Sequence, residues 1–371
     1  MDGPSRERLR PSRAASATAG ALRHLRQQLQ RDPLLLPEQE SLLLAVSGGQ
    51  DSMALTQLLQ DLQAARGWRL ILWHGDHGWH RDSAVIAAQL SRWAERRGLE
   101  LLVDRAPEGA ARGEAGARDW RYAVLEQHAH ARGCRRVITA HTASDRAESL
   151  LLAMARGCHL RGLCAPRRWR PLGRGGGCWL ARPLLGLDRR QTAQLCRERA
   201  LPVWPDPGNA DLNPSRNRVR HLVMPVLEAL HPGAGRRISG LSEAMARLQQ
   251  PQEELIPLAL RQLAGAAGVG GEAVALEREG LSRLSADTAA LLLHHWLRSE
   301  TGSAPGREVM EDLVHRLLRD GAAGKLCLPG PWELSWTRCH VHLHRQDGGG
   351  SSRDLTADSR DHQAPTLSPG D

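Results

Sequence analysis

The chain has 371 residues, 41% of them hydrophobic, and a formal net charge of +9. That length allows two domains with sizeable cores, and the basic balance favours an acidic partner, above all nucleic acid. No apolar stretch nears the roughly 18 residues of a membrane span and residues 1–20 lack a secretory h-region, so no membrane partner and a cytoplasmic location are expected. Residues 1–20 read as a disordered basic tail.

From Ala21 helix and strand alternate. Leu22–Gln30 is predicted helical and Leu42–Val46 a strand. A helix over 53–66 follows, with Leu55, Leu58, Leu59 and Leu62 at i, i+3, i+4 and i+7. Next come strand Arg69–His74, helix 83–97 (capped by Asp82 or Ser83, closed by Gly98) and strand 99–103. Helix 114–132, strand 136–140 and helix 145–156, with Ser144 as N-cap, complete the series. Such alternation predicts an α/β fold, a parallel sheet with helices on both faces, over residues 21–230. Beyond residue 230, Ile238–Leu248, Glu253–Leu263, Ala286–Arg298 and Glu308–Arg319 read as helices. Leu326–Leu328, Trp332–Trp336 and His340–His344 read as short strands. These form a second, smaller, mostly helical domain over 231–345; residues 346–371 read as a disordered tail.

Between the first strand and its helix stands Ser47-Gly48-Gly49-Gln50-Asp51-Ser52. A Gly-rich turn there aims backbone N–H groups and a helix N-terminus at one point, as an anion site requires. A Walker A loop needs Lys where Asp51 stands. A carboxylate beside phosphate implies a cation between them, and Mg²⁺ would serve. Asp76-His77-Gly78 and His141-Thr142 lie at other strand ends, on the edge where such sheets bind ligands.

Other segments carry further chemistry. Arg156–Arg182 holds seven Arg (156, 161, 167, 168, 170, 174 and 182), no Asp or Glu, two Trp (169 and 179) and a Gly175–Gly177 tip. It reads as a flexible loop for RNA phosphates and unstacked bases, or as a solvated surface in an Arg-biased chain. Asn213 or Ser215 can cap a helix whose apolar side is Val219, Leu222, Val223 and Val226. On it Arg216 and Arg220, beside Asn217, suit phosphate. Glu114, Arg118, Arg121 and Tyr122 share one helix. Asp145 and Glu148 open another, where the dipole already favours acids. The seven cysteines include no C-x-x-C pair and no zinc spacing, which fits a reducing cytosol.

The strand–SGGxDS–helix unit resembles the PP-loop ATP pyrophosphatases. Six segments in order resemble the tRNA(Ile)-lysidine synthetase family: Ser47–Ser52; Asp76–His80; Ala117–Tyr122 (ARDWRY); Ala140–Ser149; Arg182–Leu185 (RPLL); and Asp206–Asn209 followed by Arg216–Arg220 (RNRVR). The likeness covers roughly residues 22–230, and more weakly to about 345. His80, Thr142, Ser144 and Arg146 depart from the family pattern.

The resemblance implies an ATP-dependent ligase. ATP would adenylate C2–O of the wobble cytidine in the CAU-anticodon isoleucine tRNA, and the amine of L-lysine would displace AMP, leaving lysidine. It further implies that Ser47, Gly48, Gly49, Gln50, Asp51, Ser52, Asp76, His77 and Gly78 bind ATP, with Asp51 on Mg²⁺. Asp51, Asp145, Arg118 and Arg121 would be catalytic, and Asp145 and Glu148 would bind lysine. Arg161, Arg167, Arg168, Arg170, Arg182, Arg216, Asn217 and Arg220 would hold tRNA. A homodimer is left open. Three rival readings are a PP-loop tRNA thiolase, a small-metabolite amide ligase and an inactive RNA-binding protein on this fold.

Overall fold

A computed structural model describes residues 16–346, apart from 79–81, 111–112, 159, 174–176, 205–207, 209–210, 265–273 and 320–321, and without the side chains of 114, 160, 161, 274 and 319. The sequence reading of residues 1–15 of the N-terminal tail, His80, Arg174, the tip glycines Gly175 and Gly176, Asp206, Asn209, the 346–371 tail (from residue 347) and the side chains of Glu114 and Arg161 therefore lies outside the described residues. The chain divides into two compact units, Met1–Gln249 and Gln250–Asp371, later than the expected end of the first domain at residue 230.

In the first unit the elements run α1 (Ala17–Arg31), β1 (Ser41–Ala45), α2 (Gln50–Arg66), β2 (Arg69–Asp76), α3 (Ser83–Arg96), β3 (Glu100–Arg105), α4 (Gly113–Ala131), β4 (Arg136–Ile138), α5 (Ala143–Ala155), α6 (Leu160–Leu163), β5 (Trp169–Leu172), β6 (Cys178–Ala181) and α7 (Arg189–Glu198). Then follow α8 (Ser215–Arg218), a π-helical turn (Val219–Val223), α9 (Met224–Leu230) and α10 (Ala234–Ala264). Strand order is β3-β2-β1-β4-β6-β5, parallel except that β5 joins β6 antiparallel at the edge. Pro171 is tolerated in β5 because an edge strand can forgo an N–H.

Both faces of the sheet are buried, as the unbroken apolar strands require. Leu42, Leu44, Leu70 and Leu72 point to one core, against Leu25 of α1, Leu55 and Leu59 of α2, Leu90 of α3 and Leu195 of α7. Leu43, Ile71, Trp73 and Val137 point to the other, against Leu125 and Ala129 of α4. From β1 the chain winds outward through β2 and β3, then returns to β4 on the other side. The strand order reverses beside β1, and ligands of such sheets bind beyond the carboxyl ends at that point.

Several expectations need correction. The first helix starts at Ala17, so residues 17–20 are not tail. Glu198 holds that start, accepting from the N–H groups of Ala17 (2.8 Å) and Thr18 (2.9 Å). The described part of the Arg-rich segment is not one continuous loop: it holds α6, β5 and β6, and Trp169 packs edge-on against Trp179 at 4.8 Å. Leu222, Val223 and Val226 are exposed, so the expected apolar helix side has no core beneath it. The π turn there has a local cause, since Pro225 has no N–H to return to His221.

In the second unit, helices α11 (Arg278–Ser282), α12 (Ala286–Thr301) and α13 (Arg307–Arg319) accompany an antiparallel sheet in the order β7 (Val274–Glu277), β10 (His340–Arg345), β9 (Trp332–Trp336), β8 (Gly324–Leu328). Strand β7 was not expected. Leu334, Trp336, Val341 and Leu343 of the sheet pack on Leu293, Trp296, Leu313 and Leu317 of the helices. Where two helices were expected around Pro251, α10 is one, and the unit boundary falls inside it.

Candidate functional site

The loop after β1 is held by its own small side chains. Gly48 takes φ +81°, which costs glycine nothing, and a Cβ there would stand 3.1 Å from the Trp204 ring. Trp204 N–H donates to Gly48 O at 3.0 Å, so this tryptophan lies on the loop. Ser47 Oγ accepts from Gly49 N–H at 3.2 Å, and Ser52 Oγ donates to Gly49 O at 2.8 Å. No side chain caps the start of α2, an arrangement suited to an anion at the helix N-terminus.

The loop after β4 carries two buried acids. Thr142, not Ser144, is the N-cap of α5: its Oγ1 accepts from Asp145 N–H, and Thr142 N–H donates to Asp145 Oδ2 at 2.7 Å. This capping box uses one oxygen of Asp145 and aims the other away from the helix. Asp145 Oδ1 meets Arg216 Nη2 at 2.9 Å, Arg189 Nη2 at 3.1 Å and Arg220 Nη2 at 3.5 Å. One turn on, Glu148 accepts from Arg220 Nε (2.8 Å) and Nη2 (2.9 Å) and from Arg216 Nε (3.0 Å). The Arg220 contact is the two-pronged pairing that a planar guanidinium favours.

Helix α7 closes the site, and its role was missed from the sequence. Asp188 caps it and Gln191 reciprocates, a D-x-x-Q box readable after Arg182-Pro183-Leu184-Leu185. The first turn then meets the nucleotide loop. Thr192 Oγ1 donates to Asp51 Oδ1, Gln50 Nε2 donates to Arg189 O at 2.8 Å, and Arg189 Nε lies 3.5 Å from Asp51 Oδ2. Three acids (Asp51, Asp145, Glu148) thus face three arginines (Arg189, Arg216, Arg220) at the reversal point of the sheet.

The electrostatics separate the two aspartates. Burial pushes the Asp51 carboxyl up; Arg189 opposes this and Asp145 reinforces it. Burial acts the same way on Asp145, but Arg189 and Arg216 outweigh it and hold that carboxyl well below the usual range. Burial, aided by Arg182, pulls His141 down to about 3, so it is neutral at the end of β4. At Asp76 burial is outweighed by hydrogen bonds from Gly78 N–H and Ser83 and by Arg105, which keep it ionised.

The remaining predicted residues fall in four places. Asp76, His77 and Gly78 end β2; Arg121 Nη2 lies 3.3 Å from His77 Nε2, and His77 stands edge-on to Trp120. Arg118 and Arg170 lie over the Tyr122 ring at 5.4 and 5.2 Å. Arg182 is buried; it bonds Tyr122 and donates to Arg167 O at 2.7 Å, which places it beneath the surface rather than on it. Arg168 and Arg167 reach Glu243 (2.5 Å) and Gln249 (3.1 Å) of α10, and Arg146 pairs with the same Glu243 at 3.1 Å. Asn217 donates to the carbonyls of Gly208 (2.9 Å) and Asp211 (2.7 Å). Both its N–H groups are used in shaping its own loop. Arg216 and Arg220, expected on phosphate, sit on the acids expected to bind lysine.

Among the described residues no three His, Cys, Asp or Glu side chains converge as a metal site, and no helix is long and apolar enough to cross a membrane. Residues 21–227 match the PP-loop domain family, and residues 276–347 match the TilS substrate binding domain family. The chain is 48% identical over 327 residues to a tRNA(Ile)-lysidine synthase of Parasynechococcus marenigrum, covering 88% of this chain and 95% of that one. It is 37% identical to a tRNA(Ile)-lysidine synthase of Prochlorococcus marinus (86% and 94% covered) and 39% identical to one of a Synechococcus species (78% and 86% covered). In fold it is similar to the U34-tRNA thiolase NcsA of Methanococcus maripaludis with its [4Fe-4S] cluster. The TM-score is 0.52 at 17% identity, over 62% of this chain and 78% of that one.

Proposed function

We propose that this chain, which belongs to the tRNA(Ile)-lysidine synthase family of PP-loop enzymes, joins L-lysine to C2 of the wobble cytidine in the CAU-anticodon isoleucine tRNA. The observation that carries this reading is the meeting, at the reversal point of one sheet, of the SGGQDS loop with the Asp145–Glu148 pair. In the first step the cytidine C2 oxygen attacks the α-phosphorus of ATP and pyrophosphate leaves. In the second the lysine amine attacks C2, AMP leaves with that oxygen, and the amine gives up a proton.

The residues have distinct parts in this reading. Backbone N–H groups of the Ser47–Ser52 loop and the start of α2 hold the departing pyrophosphate. Asp51 fits Mg²⁺, a hard cation bound by one or two carboxylates together with substrate phosphates. The cation-holding character of the place is already visible in Arg189, which contacts both Asp51 and Asp145. Mg²⁺ would neutralise phosphate charge there. Asp145 and Glu148 receive the amino groups of lysine, which compete for oxygens that Arg216 and Arg220 now occupy; the attacking nitrogen arrives as ammonium and releases one proton to solvent before it bonds to C2. Arg118 and Arg121, at the neighbouring strand end, face the nucleotide or the base. A cytidine in an anticodon loop is already unpaired, so presenting it costs little. A homodimer is compatible with this reading and not required by it.

The test is nucleoside analysis after incubating full-length protein with ATP, Mg²⁺, L-lysine and the tRNA. The expected result is one cytidine heavier by lysine less water, with AMP and pyrophosphate released in equal amounts. AMP release with an unchanged nucleoside would reject lysine as the nucleophile. The thiolase reading draws on a fold likeness alone, and no cysteine cluster among the described residues favours it.

A further inference from the structure

Arg189 belongs to none of the motifs assigned a role in the nucleotide or RNA reading, yet it contacts carboxylates from two separate loops. Its Nη2 stands 3.1 Å from Asp145 Oδ1, after β4, and its Nε 3.5 Å from Asp51 Oδ2, after β1. The backbone fixes its position. Arg189 N–H donates to Ser144 Oγ at 3.3 Å, and its carbonyl accepts from Gln50 Nε2 (2.8 Å) and Thr192 Oγ1 (3.1 Å). The side chain is only 35% exposed, and the carboxylates of Asp51 and Asp145 are 15% and 7% exposed. Two buried acids of the same sign need a shared cation to stay ionised so close to one another. Asp145 retains Arg216 and Arg220 in any case, whereas Arg189 is a guanidinium seen on Asp51.

We propose that Arg189 is the resting counter-ion of the nucleotide loop: it holds Asp51 until a divalent cation arrives with ATP, then gives up Asp51 and stays on Asp145. This rests on the reading that Asp51 holds that cation. Two consequences follow from electrostatics. Arg189 competes with the divalent cation for Asp51, and so sets the Mg²⁺ concentration at which nucleotide binds. It also keeps the two loops in register before nucleotide enters, which limits the reorganisation that binding requires.

The experiment is calorimetric binding of an α,β-methylene ATP analogue to the full chain across a free-Mg²⁺ series. The proteins are wild type, Arg189→Gln, Arg189→Lys and Asp51→Asn. Removing the unit positive charge that stands 3.5 Å from an Asp51 oxygen should lower the half-saturating Mg²⁺ of Arg189→Gln by roughly ten-fold at moderate ionic strength. Arg189→Lys, which keeps the charge, should stay near wild type. An Arg189→Gln titration that overlays the wild type overturns the inference. A separate failure is recognised separately: if Asp51→Asn keeps the wild-type Mg²⁺ dependence, Asp51 does not hold the cation and the underlying reading falls. Arg189→Met keeps the packed aliphatic stem and provides the same comparison should the Gln variant not fold; an unshifted Met titration likewise overturns the inference.

Discussion

Replacing Glu148 by Gln tests whether the acid–arginine network is a coupled unit. Glu148 is 2% exposed and takes three N–H donors from two arginines at 2.8–3.0 Å. Breaking a buried pair from one side costs about 3–5 kcal/mol, because the partner charge stays buried without compensation. Here the Arg216 and Arg220 side chains are 25% and 14% exposed, so water compensates in part and the cost should be near ~3 kcal/mol. At about 2–4 °C per kcal/mol for a unit of this size, the Tm should fall by roughly 6–12 °C. Arg220→Met alone should cost about as much, for the same reason. The double variant removes Glu148 and Arg220 together and leaves Arg216 on Asp145, so its loss should be ~3–5 kcal/mol rather than the ~6 of a sum. Urea denaturation of the four proteins supplies the cycle. Additive losses would refute the coupling and with it the view that these arginines are held as counter-ions of the acids.

Three further outcomes follow. Arg278, buried in the second unit, donates to the carbonyls of Leu317, Ala322, Thr337 and Arg316 at 2.8–3.1 Å. Lysine cannot reproduce that fork, so Arg278→Lys should cost ~3 kcal/mol by leaving buried carbonyls bare; a Tm within a degree of wild type would contradict this. Thr142→Ala should cost about 1 kcal/mol as a lost N-cap, with Thr142→Ser restoring most of it; denaturant midpoints of the two variants measure the difference. Glu198 is held down to about 2 by its hydrogen bonds to Ser16, Thr18 and Ala17 at the start of α1. A depressed carboxyl stabilises fully above its ordinary value of about 4.5, and that stability is lost as pH falls from there toward 2. Glu198→Gln should therefore flatten the acid limb of stability within that window, and an unchanged limb would rule the clasp out.

The parallel sheet was legible because its strands are apolar runs punctuated by Gly and followed by amphipathic helices. The SGGQDS turn was legible because its chemistry is local. β5 and β6 were not, because Trp169–Leu172 and Cys178–Ala181 are four residues each inside a segment whose arginines and glycines read as loop. Pairing with β4, a long-range event, makes β6 a strand. Arg189 was hidden by composition: in a chain whose basic residues are nearly all Arg, one more arginine carries little signal. Its neighbour Asp188 with Gln191 did carry one. Asp145 and Glu148 were singled out, but as open carboxylates; that Arg216 and Arg220 fold back on them depends on where α8 and the π turn pack. The apolar spacing of Val219, Leu222, Val223 and Val226 is a pattern that runs across a π turn, and a pattern does not specify what covers it.

The measurement closest to the central claim is incorporation of labelled L-lysine by the purified chain with ATP and Mg²⁺. It should be run in parallel on CAU-anticodon isoleucine tRNA, on methionine tRNA with the same anticodon, and with Asp51→Ala as control. Label in the isoleucine tRNA alone, dependent on ATP and lost in Asp51→Ala, is the predicted result. ATP cleavage with no label in either tRNA, or equal label in both, would contradict the account.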